Sequence, residues 1–462
     1  MTRLLGHFVS AEMAVLILCD LALSFLVIYV MLDVMGGGPL ISAAGAAPSA
    51  AVPASANLAA ALALTVACTA AAIGLYRAEV CGERRRLLVN AALAGILAFP
   101  AVLVVSGSFH VGLSPRKVML FGKVLLVWLG CVLALRALFN QVMRERWFVR
   151  RILLLGSPGY VGLLQKLAKA GQGRLFEPVV LPRDACAGAA ELFTGAALKR
   201  QHIWGIVVAP RHGGMADLPL ATLLDCKLRG IPVFDDASFS ERHLGRIDLD
   251  SLGADRLLFA DGFANGRISN TAKRGFDIAV SLSLLLLTSP IMLLTALLIR
   301  LDSAGPVLYR QQRTGLHGRP FTLLKFRSMT IDAEQAGQPR WASQKDPRVT
   351  YIGSLIRPLR IDELPQLLNV LRGEMSMVGP RPERPHFVEQ LARIIPFYTE
   401  RSYVKPGLTG WAQVNYPYGA SVSDARQKLA YDLYYLKNRS LPLDILILLA
   451  TIRVILFREG AR

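Results

Sequence analysis

Four apolar stretches in the first 140 residues, near 13–35, 56–76, 87–106 and 118–140, constrain this chain more than anything else in it. Each is close to the ~20 residues a helix needs to cross a bilayer core. Residues 1–145 are therefore expected to form a membrane α-helical bundle of four spans. The first stretch follows Thr2, Arg3 and His7 as a secretory signal would, but it is too long for one and three more follow. Gly36 to Ser55, between the first two stretches, carries no Lys or Arg, whereas Arg77, Arg84, Arg85 and Arg86 precede the third and Arg144, Arg146, Arg150 and Arg151 follow the fourth. Cytoplasmic flanks collect Lys and Arg, which puts both ends of the bundle, and all that follows it, on the cytoplasmic side. Of the 462 residues 53% are hydrophobic and only 18% charged, which excludes a disordered chain and argues against a wholly soluble one. The net charge of +19 points first to an anionic membrane surface and second to phosphorylated substrates. No nucleic-acid partner is expected, because no basic, aromatic-interleaved module occurs. Six Cys without a C-x-x-C pair argue against a disulfide framework or a zinc site.

Residues 146–262 read as an α/β, Rossmann-like cytosolic domain. Arg151-Ile152-Leu153-Leu154-Leu155 is a short apolar strand that enters a Gly-rich turn, Gly156 to Gly162, and then a helical pattern through Leu163, Leu164 and Leu167. Ile203 to Ala209 and Ile231 to Phe234 read as further buried strands. A Gly-rich turn entering a helix can hold a pyrophosphate on backbone N–H groups. Here the glycines fall three apart instead of as G-x-G-x-x-G, and Pro158 removes a donor, so a scaffold or assembly role is favoured over ligand sensing or cofactor chemistry.

Residues 278–299 hold no charge and are long enough to span, yet Lys273 and Arg274 flank one end and Arg300, Arg310 and Arg313 the other. Both ends therefore favour the cytoplasm. Ser289-Pro290 falls at the middle, and Pro290 denies a hydrogen bond to the carbonyl of Leu286. A re-entrant helix over 275–300, broken at Ser289-Pro290 and dipping into one leaflet, satisfies both constraints; an ordinary span with a proline kink is the alternative.

From residue 305 polar motifs crowd together. In Asp362-Glu363-Leu364-Pro365-Gln366-Leu367-Leu368-Asn369-Val370-Leu371, the leucines at 364, 367, 368 and 371 make a helical stripe, with Asp362 at the N-cap position. The unpaired N–H groups and dipole of a helix start favour an ionised carboxylate. Taken alone such a pair is a cap. Lys325, Arg327, Asp346-Pro347-Arg348, Arg357, Arg360 and Arg381 change the reading, because several arginines around a carboxylate pair suit a polyanionic phosphate substrate. A diphosphate beside two carboxylates usually brings a divalent metal, Mg²⁺ by default. The arginines could equally form a cationic face against anionic lipid. Residues 441–457, apolar apart from Asp444 and Arg453, read as an interfacial helix or a packed core helix.

Residues 263–462 resemble the bacterial sugar transferase family, polyprenyl-phosphate phosphoglycosyl transferases with a monotopic catalytic core. The resemblance is carried by Lys273-Arg274-x-x-Asp277, Ser289-Pro290, Gln311-x-Arg313-x-Gly315, Lys325-Phe326-Arg327-Ser328-Met329, Asp362 to Leu367, Val378-Gly379-Pro380-Arg381-Pro382 and Pro406-Gly407-Leu408-Thr409-Gly410-Trp411-Ala412-Gln413. With four spans and an α/β module ahead of it, the chain is similar to the large exopolysaccharide-type members, most of all the exosortase-associated branch. The resemblance implies a mainly α catalytic domain that transfers a hexose-1-phosphate from a UDP-sugar to polyprenyl phosphate at the cytoplasmic face of the bacterial inner membrane. UMP would leave, and Asp362 would carry the phosphosugar as a covalent ester. Glu363 would bind Mg²⁺ with Asp362 or deprotonate the acceptor. Arg357 and Arg381, then Lys325 and Arg327, would contact phosphate; Lys273, Arg274 and Asp277 would set the re-entrant helix at the interface. A homodimer is compatible with this reading. Asn415 is followed by Tyr416-Pro417-Tyr418-Gly419 where many members have Asn-Gly-Arg, so the sugar does not carry over. Two other readings stand beside this one: a non-catalytic polysaccharide-assembly scaffold, and a membrane-anchored nucleotide-sugar oxidoreductase. The glycine spacing and the lack of any Y-x-x-x-K disfavour the second.

Overall fold

The computed structural model describes residues 2–4, 7–9, 11–35, 48–76, 84–109, 111, 114–144, 149–156, 176–181, 198, 200–209, 220–249, 266–330, 348–416, 419 and 421–456. The chain divides into two compact units, one essentially Phe8–Leu244 and the other Gly245–Arg462 with the short N-terminal segment Arg3–His7.

The first unit opens with four long helices, α1 (Ala11–Met35), α2 (Pro48–Ile73), α3 (Arg84–Ser108) and α4 (Pro115–Arg144), matching the four apolar stretches. Each packs on two others: α1 on α2 and α4, and α3 on α2 and α4. Buried Ala59, Ala63 and Ala70 on α2 and Ala91, Ala94 and Ala98 on α3 let these two backbones approach closely, as small residues do between membrane helices. One ion pair is sealed among them, with Arg136 of α4 donating to Asp20 Oδ2 of α1 at 2.9 Å.

Next comes a four-stranded, wholly parallel sheet of β1 (Arg150–Gly156), β2 (Phe176–Leu181), β3 (Ile203–Ala209) and β4 (Val233–Asp235), in the order β2-β1-β3-β4. Helices α5 (Leu220–Leu228) and α6 (Asp236–Leu244) flank β4 in the chain. The unbroken apolar run of β1 follows from burial on both faces. Leu153 and Leu155 join Ile206 and Val208 on one side, while Ile152 and Leu154 join Val207 and Phe234 on the other. Strand β2, interrupted by Glu177 and Pro178, escapes sequence reading. The Gly-rich turn and its helix at 157–167 lie outside the described residues.

The second unit is mainly helical. Its segment Gly245–Leu249, assigned by sequence to the middle domain, packs here: Ile247 N–H donates to the Ala430 carbonyl and Trp411 Nε1 to the Gly245 carbonyl. Helix α7 (Arg267–Asp302) covers the expected re-entrant segment and corrects it, because it runs without interruption through Ser289-Pro290. The reason lies in the side chain before the proline. Ser289 Oγ donates to the Leu286 carbonyl at 2.9 Å, supplying the hydrogen bond that Pro290 cannot. Among the described residues five helices, α7 and the first four, are long and apolar enough to cross a membrane, one more than the four spans assigned by sequence.

After α7 come the antiparallel hairpin β5 (Leu308–Thr314) and β6 (Pro320–Phe326), short helix α8 (Tyr351–Ile356), a 3-10 turn (Ile361–Glu363) and helix α9 (Gln366–Arg372). Strand β7 (Ser376–Val378) precedes α10 (Pro385–Ile394), and β8 (Gly407–Thr409) pairs with β7 in parallel. Gly379 and Gly407 are required there, since a Cβ on Gly407 would land on the Gly379 backbone nitrogen. Helices α11 (Trp411–Asn415), α12 (Val422–Asn438) and α13 (Leu441–Leu456) close the unit. Asn369 ties its core together: its Oδ1 accepts from Leu324 N–H on β6, and its Nδ2 donates to the Thr322 carbonyl and to Glu374.

Candidate active site

Asp362 and Glu363 stand in the 3-10 turn before α9, not at an α-helical N-cap as the leucine stripe suggested. Pro365 takes the N-cap place, and the tight turn is closed by Glu363 N–H to the Arg360 carbonyl and Leu364 N–H to the Ile361 carbonyl. Arg360 enters this turn with φ of 56°, a left-handed conformation that costs a non-glycine residue energy and often marks functional backbone. The turn sends the two carboxylates different ways. Asp362 lines a cavity of about 930 Å³. Glu363 is absent from that lining, and its Oε1 accepts from Arg381 at 2.9 Å, Lys325 at 3.2 Å and Arg360 at 3.4 Å.

Electrostatics separate the pair further. Burial pushes the Asp362 carboxyl up, the neighbouring Glu363 charge adds to this, and Lys325, Arg360 and Arg357 oppose it, leaving a value of about 6. Burial alone would also raise Glu363, but Lys325, Arg381 and Arg360 outweigh it and hold Glu363 well below the usual range. Burial lowers the Lys325 ammonium, with Glu363 pulling the other way. Among the described residues Asp362 Oδ1 has no hydrogen-bond partner although it is buried, a costly state for a carboxylate oxygen.

With Asp362 the cavity is bordered by Lys325, Arg348, Arg357, Arg381, Arg384 and Lys428. The structure thus brings together Asp362, Glu363, Lys325, Arg357 and Arg381. Arg327 reaches the same cavity, but its guanidinium donates to the Ser303, Ala304 and Ile299 carbonyls and so closes the C-terminal end of α7. Asp346 and Pro347 lie outside the described residues.

Lys273, Arg274 and Asp277 form a separate cluster. Lys273 pairs with Asp444 at 2.6 Å, Arg274 donates to the Val370 and Leu371 carbonyls at the end of α9, and Asp277 accepts from Met377 N–H. They bind the N-terminal part of α7 to the core. The charges of α13 turn inward too: Asp444 and Arg453 are buried while Ile445, Leu446, Ile452 and Leu456 are exposed. This helix packs one face and bares another, combining the two readings of 441–457. Sequence reasoning passed over Arg401 and Asp432, a buried pair at 2.8 Å beside the cavity. Neither sits in a motif, and only Lys428, one turn before Asp432 on α12, hints that this helix faces the site.

No group of three or more His, Cys, Asp and Glu side chains suited to a metal occurs among the described residues. The free oxygen of Asp362 still fits a magnesium ion, which commonly takes one or two carboxylates and completes its shell with water and substrate phosphate, whereas Glu363 Oε1 is already held by Arg381, Lys325 and Arg360.

The second unit thus joins a buried carboxylate in an arginine-lined cavity to a long helix apolar enough to enter a membrane. The family model for the bacterial sugar transferases matches residues 268–458. The chain is 45% identical over 192 residues to the uncharacterized sugar transferase EpsL of Bacillus subtilis, a stretch of 41% of this chain and 89% of that protein. It is 48% identical over 240 residues to a UDP-N-acetylgalactosamine-undecaprenyl-phosphate N-acetylgalactosaminephosphotransferase of Aeromonas hydrophila, covering 52% of this chain and 56% of the relative. An undecaprenyl-phosphate glucose phosphotransferase of Komagataeibacter xylinus is 47% identical over 194 residues, 41% of this chain and 36% of that one. The matches to the last two span only about half and a third of those proteins. The chain belongs to the bacterial sugar transferase family.

Proposed function

We propose that this protein transfers a hexose-1-phosphate from a UDP-sugar to polyprenyl phosphate, releasing UMP, at the cytoplasmic face of a bacterial inner membrane. The observation that carries this is the unpartnered, buried Asp362 oxygen in a cavity bordered by cations. A carboxylate oxygen of Asp362 attacks the sugar-bearing phosphorus, and the bond from that phosphorus to the UMP oxygen breaks. The phosphosugar stays on Asp362 as an acyl phosphate ester. An oxygen of polyprenyl phosphate then attacks the same phosphorus, the bond to Asp362 breaks, and polyprenyl-diphosphate-sugar leaves. Dividing one displacement into two is ordinary covalent catalysis.

Glu363 serves the cations, holding Lys325 and Arg381 where charge builds on the phosphoryl oxygens. Arg357 and Arg381 meet substrate phosphate, and Arg327 anchors the end of α7. Asp362 would hold Mg²⁺, which when bound would neutralise diphosphate charge, while the expected share of Glu363 in the metal gives way to its cation partners. Helix α7 rests in one leaflet as a continuous helix without crossing it, its outward Leu286, Leu287 and Leu293 meeting lipid. The parallel order β2-β1-β3-β4 supports a Rossmann-like reading of the middle sheet.

The test is UMP release over a panel of UDP-sugars with polyprenyl phosphate, the relatives' N-acetylgalactosamine and glucose donors first. Donor radiolabelled in the sugar phosphate should become trapped on Asp362 when acceptor is withheld. Product forming with no label on that side chain would overturn the covalent route. Accessibility reporters at 273 and 310 should report the same side, and opposite sides would make α7 a span.

A further inference from the structure

The segment that carries Arg381 is held at every carbonyl. Pro380 and Pro382 restrict its backbone and lack N–H groups, so its carbonyls are what the surroundings can grip. Gly407 N–H donates to the Pro380 carbonyl and Thr314 N–H to the Glu383 carbonyl, both at 2.9 Å. Arg313 donates to the Pro382 carbonyl at 3.1 Å. Arg401 donates to the Arg381 carbonyl at 3.0 Å.

Arg401 comes from the 3-10 segment Tyr398–Tyr403 and is almost fully buried. It borders the cavity, but its guanidinium is engaged: one terminal nitrogen donates to Tyr398 Oη at 2.8 Å, and the other meets both the Arg381 carbonyl and Asp432 at 2.8 Å. Asp432, on α12, supplies the negative charge that makes a buried guanidinium tolerable. From the far side of the held segment, the Arg381 guanidinium reaches Glu363 at 2.9 Å.

We propose that Asp432 and Arg401 are positioning residues for the transfer: they fix the Arg381 backbone so that its guanidinium meets Glu363 beside Asp362, and neither touches substrate. This rests on the transfer reading above. A small displacement of an aimed charge is enough to cost rate, because a misplacement of about 1 Å can cost about a hundredfold.

UMP release by the full-length protein tests this, with kcat and the donor KM measured for Arg401→Gln, Arg401→Lys, Asp432→Asn and Tyr398→Phe. Arg401→Gln and Asp432→Asn should each lower kcat about tenfold with KM within about twofold, and Arg401→Lys should recover part of the loss. Tyr398→Phe removes one hydroxyl and should cost about twofold, which keeps a measurement in hand if Asp432→Asn does not fold. The deciding step is a cycle with Arg381→Ala. Once the Arg381 side chain is gone, Arg401→Gln should cost nothing more. Equal fractional losses with and without Arg381, or a raised KM at unchanged kcat, would overturn the proposal in favour of direct substrate contact. Asp362→Asn separates the two failures. If it retains UMP release, the transfer reading itself falls; if it is inactive while Arg401→Gln matches wild type, only the positioning role falls.

Discussion

Helices α1 to α4 and helix α7 are all apolar enough to cross a membrane, yet they use that property in opposite ways. In the first four, 28–44% of each apolar window is buried within the protein; in α7 the share is 11%. The four bury against one another and hide an ion pair, Asp20 with Arg136, between α1 and α4. Helix α7 is tied to its own unit at both ends, by Lys273, Arg274, Asp277 and Ser281 at one and by Arg300, Asp302 and buried Ile299 at the other, and bares a leucine surface of Leu286, Leu287, Leu293 and Leu294 between them. Apolarity therefore sets which segments can enter lipid, while the placement of the few polar groups sets whether a helix builds a bundle or is tied to a folded domain.

The largest test of this division is Asp362→Asn. It should lower UMP release by about a thousandfold or more while leaving α1 to α4 inserted, because the chemistry belongs to the unit that contains α7. Activity near wild type would break the comparison at its root. Next is the ion pair. Arg136→Met leaves Asp20 buried without its cation and should cost about 3–5 kcal/mol of stability in thermal unfolding. The double variant Asp20→Leu/Arg136→Met should recover most of that. UMP release, measured below the melting point, should stay within about twofold, since Asp20 and Arg136 belong to the unit that does not contain Asp362. A double variant no better than the single would mean that the pair does more than fix helix packing.

A third test contrasts the titration of two buried acids within the second unit, Asp362 and Asp432. Transfer needs Asp362 ionised, and burial with the Glu363 charge raises its carboxyl to about 6. The reactive fraction falls as the pH drops through that value, so kcat should decline roughly tenfold per unit below it. Asp432 is also raised to about 6, by burial first, with Arg401 opposing. Its protonation weakens the hold on Arg401 over the same range, so the acid limb should be steeper in wild type than in Asp432→Asn. A profile flat from pH 7 to 5 would exclude Asp362 as the attacking group.

How far the sequence reaches follows from how local each feature is. The four helices and strands β1 and β3 declare themselves by continuous apolar runs. The carboxylate pair declares itself by its neighbours in one motif. What stays hidden is the pairing of distant residues: Lys273 meets Asp444 171 positions away, and Arg381 meets Glu363 across 18. The different duties of Asp362 and Glu363 are hidden as well. They arise from a 3-10 turn entered through a left-handed Arg360, and a leucine stripe suggests an α-helix there instead. Strand β2, carrying a proline and a glutamate, lacks the run that exposes its partners.

The smallest effect concerns the one irregular point in α7. Proline breaks a helix interior because it removes an N–H and crowds the carbonyl four residues back. Here that carbonyl, Leu286, receives the Ser289 hydroxyl, and the helix continues. Lipid offers a bare carbonyl no replacement partner. Ser289→Ala should therefore cost about 1 kcal/mol in unfolding measured in bilayer-like discs. In a Pro290→Ala background residue 290 regains its N–H and the Leu286 carbonyl no longer depends on the hydroxyl, so Ser289→Ala should cost almost nothing. An undiminished cost there would show that Ser289 acts elsewhere, and the continuity of α7 would need another cause than this hydrogen bond. A vanished cost would mark the serine as the reason a proline can stand in the middle of this long helix.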